Sequence, residues 1–86
     1  MKTNAERRAV ARQYRLARAR PIIIAYGFAK MAGEYHWQLR PDDGPVIDWW
    51  PTTNRWVAAG RRHTGGHVEM RQYLTERGLF PAEATV

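Results

Sequence analysis

Residues 34–59, EYHWQLRPDDGPVIDWWPTTNRWVAA, decide the fold, because they hold three short apolar segments separated by turn-forming residues. In the first segment, 34–40, tyrosine, tryptophan and leucine alternate with polar residues, which predicts a half-buried strand. The other two, 46–50 and 55–59, are rich in the β-branched and aromatic residues that strands favour. Connections this short predict an antiparallel, three-stranded meander, since parallel strands need long crossovers.

The segment before the meander predicts helix. Thr3 and Glu6 have the spacing of a capping box, and residues 5–19 contain neither glycine nor proline. Pro21 disfavours helix in the residue before it and is expected to end this first helix. A second helix over 21–32 is then predicted; a buried strand at its β-branched start is the alternative.

The chain after the meander predicts a loop over 60–66 and a final helix over 67–77, ended by Gly78. The expected fold class is therefore α+β, with an N-terminal helix (or two), a three-stranded antiparallel meander and a C-terminal helix. We expect one domain, in which residues 1–20 form an arginine-rich helix or arm, 21–80 a compact core and 81–86 a frayed tail.

Positive charge is concentrated in the first third of the chain. The 86 residues contain no cysteine and have a net charge of +6. Residues 1–30 carry eight lysines and arginines and one glutamate (+7), whereas residues 31–86 carry six arginines and seven acids (−1). This asymmetry indicates a surface for a polyanion, although a merely solvated helix face would have the same composition.

Five arginines of the first helix are predicted to share one arc, opposite a weakly apolar side built from Ala9, Val10, Gln13, Tyr14 and Ala17. That apolar side is expected to dock lightly on the core. The arc would present guanidinium groups to phosphates, for which their planar fork is suited. Its members are Arg7, Arg8, Arg12, Arg15 and Arg18.

A second candidate anion site is the segment RRHTGG at 61–66, which precedes the final helix. Arg61 and Arg62 would flank free backbone N–H groups at Thr64, Gly65 and Gly66, at the positive end of the helix dipole. The spacing is not that of a P-loop, and an ordinary glycine-rich loop is the competing interpretation.

Trp49 and Trp50 are adjacent in a predicted strand, so their side chains must point to opposite faces of the sheet. Asp48 shares a face with Trp50, which makes that side the wetter one and Trp49 the core residue. Trp50, beside Arg40, Arg55 or His36, is then a candidate platform for stacking a base or anchoring a partner.

The hairpin DWWPTTNRW at 48–56, followed by a glycine-rich loop and a helix, resembles small phage and prophage proteins with an aromatic-Pro-Thr-Thr-Gly/Asn-Lys/Arg-Trp hairpin. The similarity covers about residues 46–76, with Asn54 where glycine is the usual residue. It implies a phage or mobile-element origin and supplies no catalytic residues.

The sequence contains no evident set of residues with the types and spacing that catalysis needs. The acids Asp42 and Asp43 fall in a turn, and the histidines His63 and His67 lack a third ligand for zinc. We therefore expect no catalysis, no cofactor and no metal. The absence of a signal sequence and of a long apolar run leads us to expect no membrane association and a cytoplasmic location in a bacterial host.

The sequence therefore predicts a non-enzymatic binding protein whose partner is nucleic acid or a nucleoprotein complex. The alternative is a phage-encoded inhibitor of a host protein, of the anti-CRISPR kind, that acts by protein–protein contact. In either case the weakly apolar first helix would also allow a homodimer.

Overall fold

The computed structural model describes residues 3–81, which form an α+β domain of two helices and a five-stranded antiparallel sheet. Of the frayed tail predicted at 81–86, residues 82–86 lie outside the described residues. The elements, in chain order, are α1 (Asn4–Tyr26), β1 (Ala29–Lys30), β2 (Trp37–Leu39), β3 (Ile47–Trp50), a 3-10 turn (Pro51–Thr53), β4 (Arg55–Ala58), β5 (Arg61–Thr64) and α2 (His67–Glu76).

The N-terminal segment forms one continuous helix, so the prediction of a break at Pro21 was wrong. The predicted capping box is present: the Thr3 side chain accepts from the Glu6 N–H at 3.2 Å, and the Glu6 carboxylate accepts from the Thr3 N–H. Pro21 lies on the exposed side of α1, where water can solvate the carbonyl whose partner it removes. Burial of Ile22 and Ile23 beyond it favours continuation of the helix.

The helix predicted over 21–32 is correct only for residues 21–26, which form the last turns of α1, because α1 ends at Gly27 rather than at Gly33. The alternative, a strand at the β-branched start of this segment, is wrong. Gly27 adopts a left-handed conformation (φ 80°), and the N–H groups of Gly27 and Phe28 both donate to the Ile23 carbonyl. The chain then turns into β1, which pairs with β2. The apolar periodicity that predicted helix holds for Ile22, which is buried within α1, but not for Phe28, which is buried at the turn after the helix.

The sheet has the strand order β1-β2-β3-β4-β5, and every pair is antiparallel. The three predicted strands are its centre, and Asn54 has the predicted left-handed conformation (φ 54°). The predicted loop at 60–66 was wrong for residues 61–64, which form β5. Ala59 and Gly60, both at positive φ, make the tight hairpin turn that joins β4 to β5.

The core lies on one face of the sheet, beneath both helices. From the sheet it contains Trp37, Ile47, Trp49, Trp56 and Ala58, and from the helices Leu16, Ala19, Ile22, Ile23, Met70, Tyr73 and Leu74. Trp49 is fully buried, as predicted, and its ring is 5.5 Å from that of Phe28. The opposite face carries half-buried and exposed residues only, and we call it the open face.

The C-terminal helix matches its prediction closely. It runs from His67 to Glu76, and Gly78 follows at φ 74°. The Leu79 N–H donates back to the Leu74 carbonyl at 2.9 Å, so Leu79 folds onto the core while Phe80 stays exposed. Between residues 3 and 81, neither helix is long and apolar enough to cross a bilayer.

Candidate functional site

The open face presents two parallel rows of side chains, whose composition follows from the strand register. One row runs across the sheet through Gln38, Asp48, Val57 and Arg62. The next row contains Trp50, Arg55 and Thr64, and His36 continues it beyond the end of β2. Neither row has an arginine on β2 or β3, and each has one on the β4–β5 side: Arg62 in the first row and Arg55 in the second.

Trp50 is the largest side chain of the open face, and a polar network holds its neighbour in place. The His36 ring stacks on the Trp50 indole, with centroids 4.4 Å apart and planes 14° from parallel. His36 Nε2 donates to Asp48 Oδ1 at 2.8 Å, and Gln38 Nε2 donates to the same oxygen at 2.9 Å. Arg40 Nε donates in turn to Gln38 Oε1 at 2.7 Å. The stack is therefore positioned before any ligand arrives.

The basic side of the open face borders a pocket of about 380 Å³. Trp50 and Arg55, which pair across β3 and β4, line it together with Val57 and Arg62. Within residues 3–81 neither arginine forms a salt bridge, since the single ion pair there joins His36 to Asp48. The pocket thus combines an aromatic ring with two guanidinium groups whose charge is not neutralised by a described carboxylate.

The orientation of α1 is the reverse of the one predicted. Part of its arginine arc faces the body of the protein: Arg8, Arg12 and Arg15 lie on the same side of the helix as the buried Leu16 and Ala19. Arg7 and Arg18, the other two members, lie nearer the solvent-facing side. The weakly apolar side, expected to dock on the core, instead faces solvent. The cause is that Leu16, Ile22 and Ile23 bury more apolar area than the alanine-rich side can offer.

The first three turns of α1 extend past the core, because the first buried residue of the helix is Leu16. Arg15 fixes the point where the helix leaves the body: its guanidinium donates to the backbone carbonyl of Thr52 at 2.8 Å. Thr52 belongs to the turn that joins Trp50 to Arg55. The basic arc of α1 therefore starts at the end of the sheet where the open face has its tryptophan.

Replacing Arg15 with alanine is expected to lower the free energy of unfolding by about 1–2 kcal/mol, because it leaves the carbonyl of the buried Thr52 without its charged donor. The matched variant is Arg18→Ala, since the exposed Arg18 forms no side-chain hydrogen bond within residues 3–81 and its guanidinium lies 5.1 Å from the centre of the exposed Tyr14 ring. That change should stay within about 0.5 kcal/mol. Urea denaturation of both proteins measures the difference, and equal effects would contradict a structural role for Arg15.

The structure does not assemble the predicted anion loop before α2. Thr64 ends β5 with its side chain in the open-face row of Trp50, and Gly66 is the cap of α2. The Gly65 N–H donates to the Asn54 carbonyl at 2.9 Å, and the Gly66 N–H donates to the Glu69 carboxylate at 2.8 Å. A carboxylate of the chain itself thus occupies the helix N-terminus.

Gly65 is required here for a packing reason. Its φ of +142° suits glycine alone, and a Cβ at this position would lie 2.8 Å from Cβ of Glu69 and 3.2 Å from the Trp56 ring. Gly65 therefore allows close passage of the chain over Trp56, whereas a Cβ at Gly66 would make only ordinary contacts at 3.6 Å or more.

The predicted site residues outside the two glycines therefore separate into three groups. Trp50, Arg62 and Thr64 share the open face, whereas Arg61 pairs with Ala58 and so points toward the helix side at the sheet edge. The arginines of α1 form their own surface. Sequence reasoning missed the His36–Asp48–Gln38 network, although the alternation in β2 and β3 places all three on the face opposite Trp49.

Searches against protein-family models, curated proteins and solved structures found no match to this chain.

Proposed function

We propose that this protein binds single-stranded nucleic acid on the open face of its sheet, without catalysis. The observation that carries the proposal is the pairing of Trp50 with Arg55 beside Arg62 around one pocket. An aromatic ring next to unneutralised guanidinium groups offers both contacts that a nucleotide needs. These are a surface on which a base can stack and cations for the adjacent phosphates.

Stacking requires a ring that is rigid before binding, and Trp50 meets this requirement. His36 covers part of the indole, and Asp48 fixes His36 through a 2.8 Å hydrogen bond. The rest of the half-buried ring borders the pocket. Because the ring is already ordered, the entropic cost of ordering the protein when a base stacks there is small.

A single strand suits this surface better than a duplex. Base stacking on an aromatic side chain needs an unpaired base, and the open face is a sheet surface rather than a helix that could enter a major groove. Exposed antiparallel sheets with aromatic side chains are a recurrent way to bind single strands. The side chains at this site carry no pattern that would specify one base.

The arginine arc of α1 would extend the contact along the strand. Arg15 lies against the turn between Trp50 and Arg55, so a strand that leaves the pocket at this end meets Arg8 and Arg12 next. Together with Arg55 and Arg62 on the sheet, this gives about four or five phosphate contacts. A cytoplasmic location in a bacterial host and a phage-type origin are part of the same proposal and agree with the basic composition.

Binding of a fluorescent single-stranded oligonucleotide is expected to weaken steeply with salt. Four or five phosphate contacts on a single strand predict a slope of log K against log salt of about −2.8 to −3.5, at about −0.7 per contact. Fluorescence anisotropy between about 50 and 200 mM salt measures the slope. A matched duplex of the same sequence is expected to bind more weakly, since its bases cannot reach Trp50.

Two results would contradict the proposal. One is the absence of binding at about 50 mM salt, where electrostatic contacts are strongest. The other is a flat salt dependence, which would show that the arginines of the open face and of α1 do not contact phosphates. Tighter binding of the duplex would indicate that the binding site is the arginine arc and not the open face.

A further inference from the structure

The solvent-facing side of α1 carries an apolar stripe that nothing in residues 3–81 covers. Its members are separated alternately by four and three residues and are all exposed: Val10, Tyr14, Ala17, Pro21 and Ile24. Val10 is 53% exposed, Tyr14 59% and Ile24 70%. This is the spacing of the contact seam in a pair of packed helices, and it extends over about 21 Å.

We infer that this stripe is the docking surface for an acidic amphipathic helix of a partner protein. The inference is independent of nucleic-acid binding, because the stripe lies on the side of α1 opposite to Arg8, Arg12 and Arg15. It also uses none of the residues of the open face.

The charges that border the stripe select the chemistry of its partner. Arg7 and Arg18 lie along one border and Arg20 along the other, and none of them has a carboxylate partner within residues 3–81. Arg18 is held beside the seam by its contact with the Tyr14 ring, at 5.1 Å. A helix with acidic residues at the flanking positions of its own seam would pair with all three arginines.

The same charges disfavour a homodimer formed through the stripe, which the weakly apolar sequence of the first helix would allow. Glu6 is the one acid of α1, and its carboxylate is already engaged with the Thr3 N–H. Two copies packed through the stripe would bring arginine opposite arginine along both borders, and like charges across a seam oppose pairing. Charge complementarity therefore favours an acidic partner over self-association.

The test uses a synthetic peptide of about four heptads, with leucine at the seam and glutamate at the flanking positions. A matched peptide with lysine at those flanking positions is the control. Fluorescence anisotropy should show binding of the glutamate peptide to the full chain and at least tenfold weaker binding of the lysine peptide. Equal binding of the two peptides would overturn the inference, because the arginine borders would then play no part.

Variants of the protein locate the contact. Val10→Ser/Ile24→Ser removes both ends of the stripe at side chains that are more than half exposed, so the fold should be retained, as checked by circular dichroism. This variant should lose at least tenfold in affinity for the glutamate peptide. Val68→Ser on α2, at a residue 61% exposed, should lose none. Unchanged peptide binding by the stripe variant would overturn the inference.

Three further measurements separate this surface from other possible occupants. The stripe variant should bind the oligonucleotide as the wild type does, so failure of one proposal leaves the other standing. A wild-type dimer in sedimentation velocity that becomes a monomer in the stripe variant would overturn the inference in favour of a second copy. Stripe-dependent binding to phosphatidylserine vesicles would overturn it in favour of an anionic lipid surface.

Discussion

Replacing Trp49 with alanine is expected to lower the free energy of unfolding by about 3–5 kcal/mol, the usual cost of removing a large aromatic side chain from a core. Trp49 is fully buried in the central strand, opposite Trp37 on one side and Trp56 on the other. The loss is a large fraction of the total stability of such a domain, about 5–15 kcal/mol. It should lower the Tm by roughly 12–40 °C in a thermal melt.

The neighbouring tryptophan supplies the control for this prediction. Trp50→Ala removes a half-buried ring on the open face and should cost clearly less stability than Trp49→Ala. Trp49→Phe should fall between wild type and Trp49→Ala, because Trp49 Nε1 has no hydrogen-bond partner within residues 3–81 and an aromatic ring remains. If Trp50→Ala proves the more damaging change, the assignment of the core face is wrong.

The second large effect concerns binding rather than folding. Trp50→Ala should weaken oligonucleotide affinity about 5- to 150-fold, since stacking of a base on an aromatic side chain contributes about 1–3 kcal/mol. Trp50→Phe should restore part of the affinity because a ring remains available for stacking. Fluorescence anisotropy at fixed salt, on variants whose folding has been checked by thermal melts, gives the comparison.

Phe80→Ala is the matched control for loss of an aromatic ring. Phe80 is 69% exposed and lies after α2, outside the open face. Its removal should leave oligonucleotide affinity unchanged. Equal losses in Trp50→Ala and Phe80→Ala would indicate general weakening of the protein, whereas no loss in Trp50→Ala would exclude the open face as the binding surface.

The centre of the fold could be predicted because its signals are local. The three alternating or β-branched segments between residues 34 and 59 form the central strands, and the turn residues between them set the antiparallel order. The buried position of Trp49 followed from the pleat together with Asp48. The C-terminal end of α2 followed equally from Gly78, whose positive φ is a local property; its start did not, because Thr64 was the first candidate for the cap and Gly66 holds that position.

The missed elements depend on contacts that are distant in sequence. β5 is polar, and β1 has only two residues, so neither strand shows an alternation of apolar residues in the sequence. Each forms because a neighbouring strand pairs with it. The path of α1 through Pro21 depends in the same way on burial of Ile22 and Ile23 against the sheet.

The candidate site was predictable only in part. Trp50 and Arg62 were chosen from the order of residues in the strand and in the loop segment. The side of α1 that turns toward the core could not be predicted in the same way. An alanine-rich side and an arginine-rich side both lack a strong preference for the core, so the large residues further along α1 decide the rotation of the whole helix.

The overhang of α1 beyond the core gives the helix a gradient of local stability. Residues from Arg15 onward are anchored by burial and by the Arg15–Thr52 hydrogen bond, whereas the exposed turns before the half-buried Ala11 depend on the capping box and on intrinsic helix propensity. An isolated helical segment of that length is marginal in water, so these turns open without unfolding of the sheet. Any ligand that contacts the overhang on either side therefore suppresses its fraying, and two ligands bound there together would favour each other through that shared ordering.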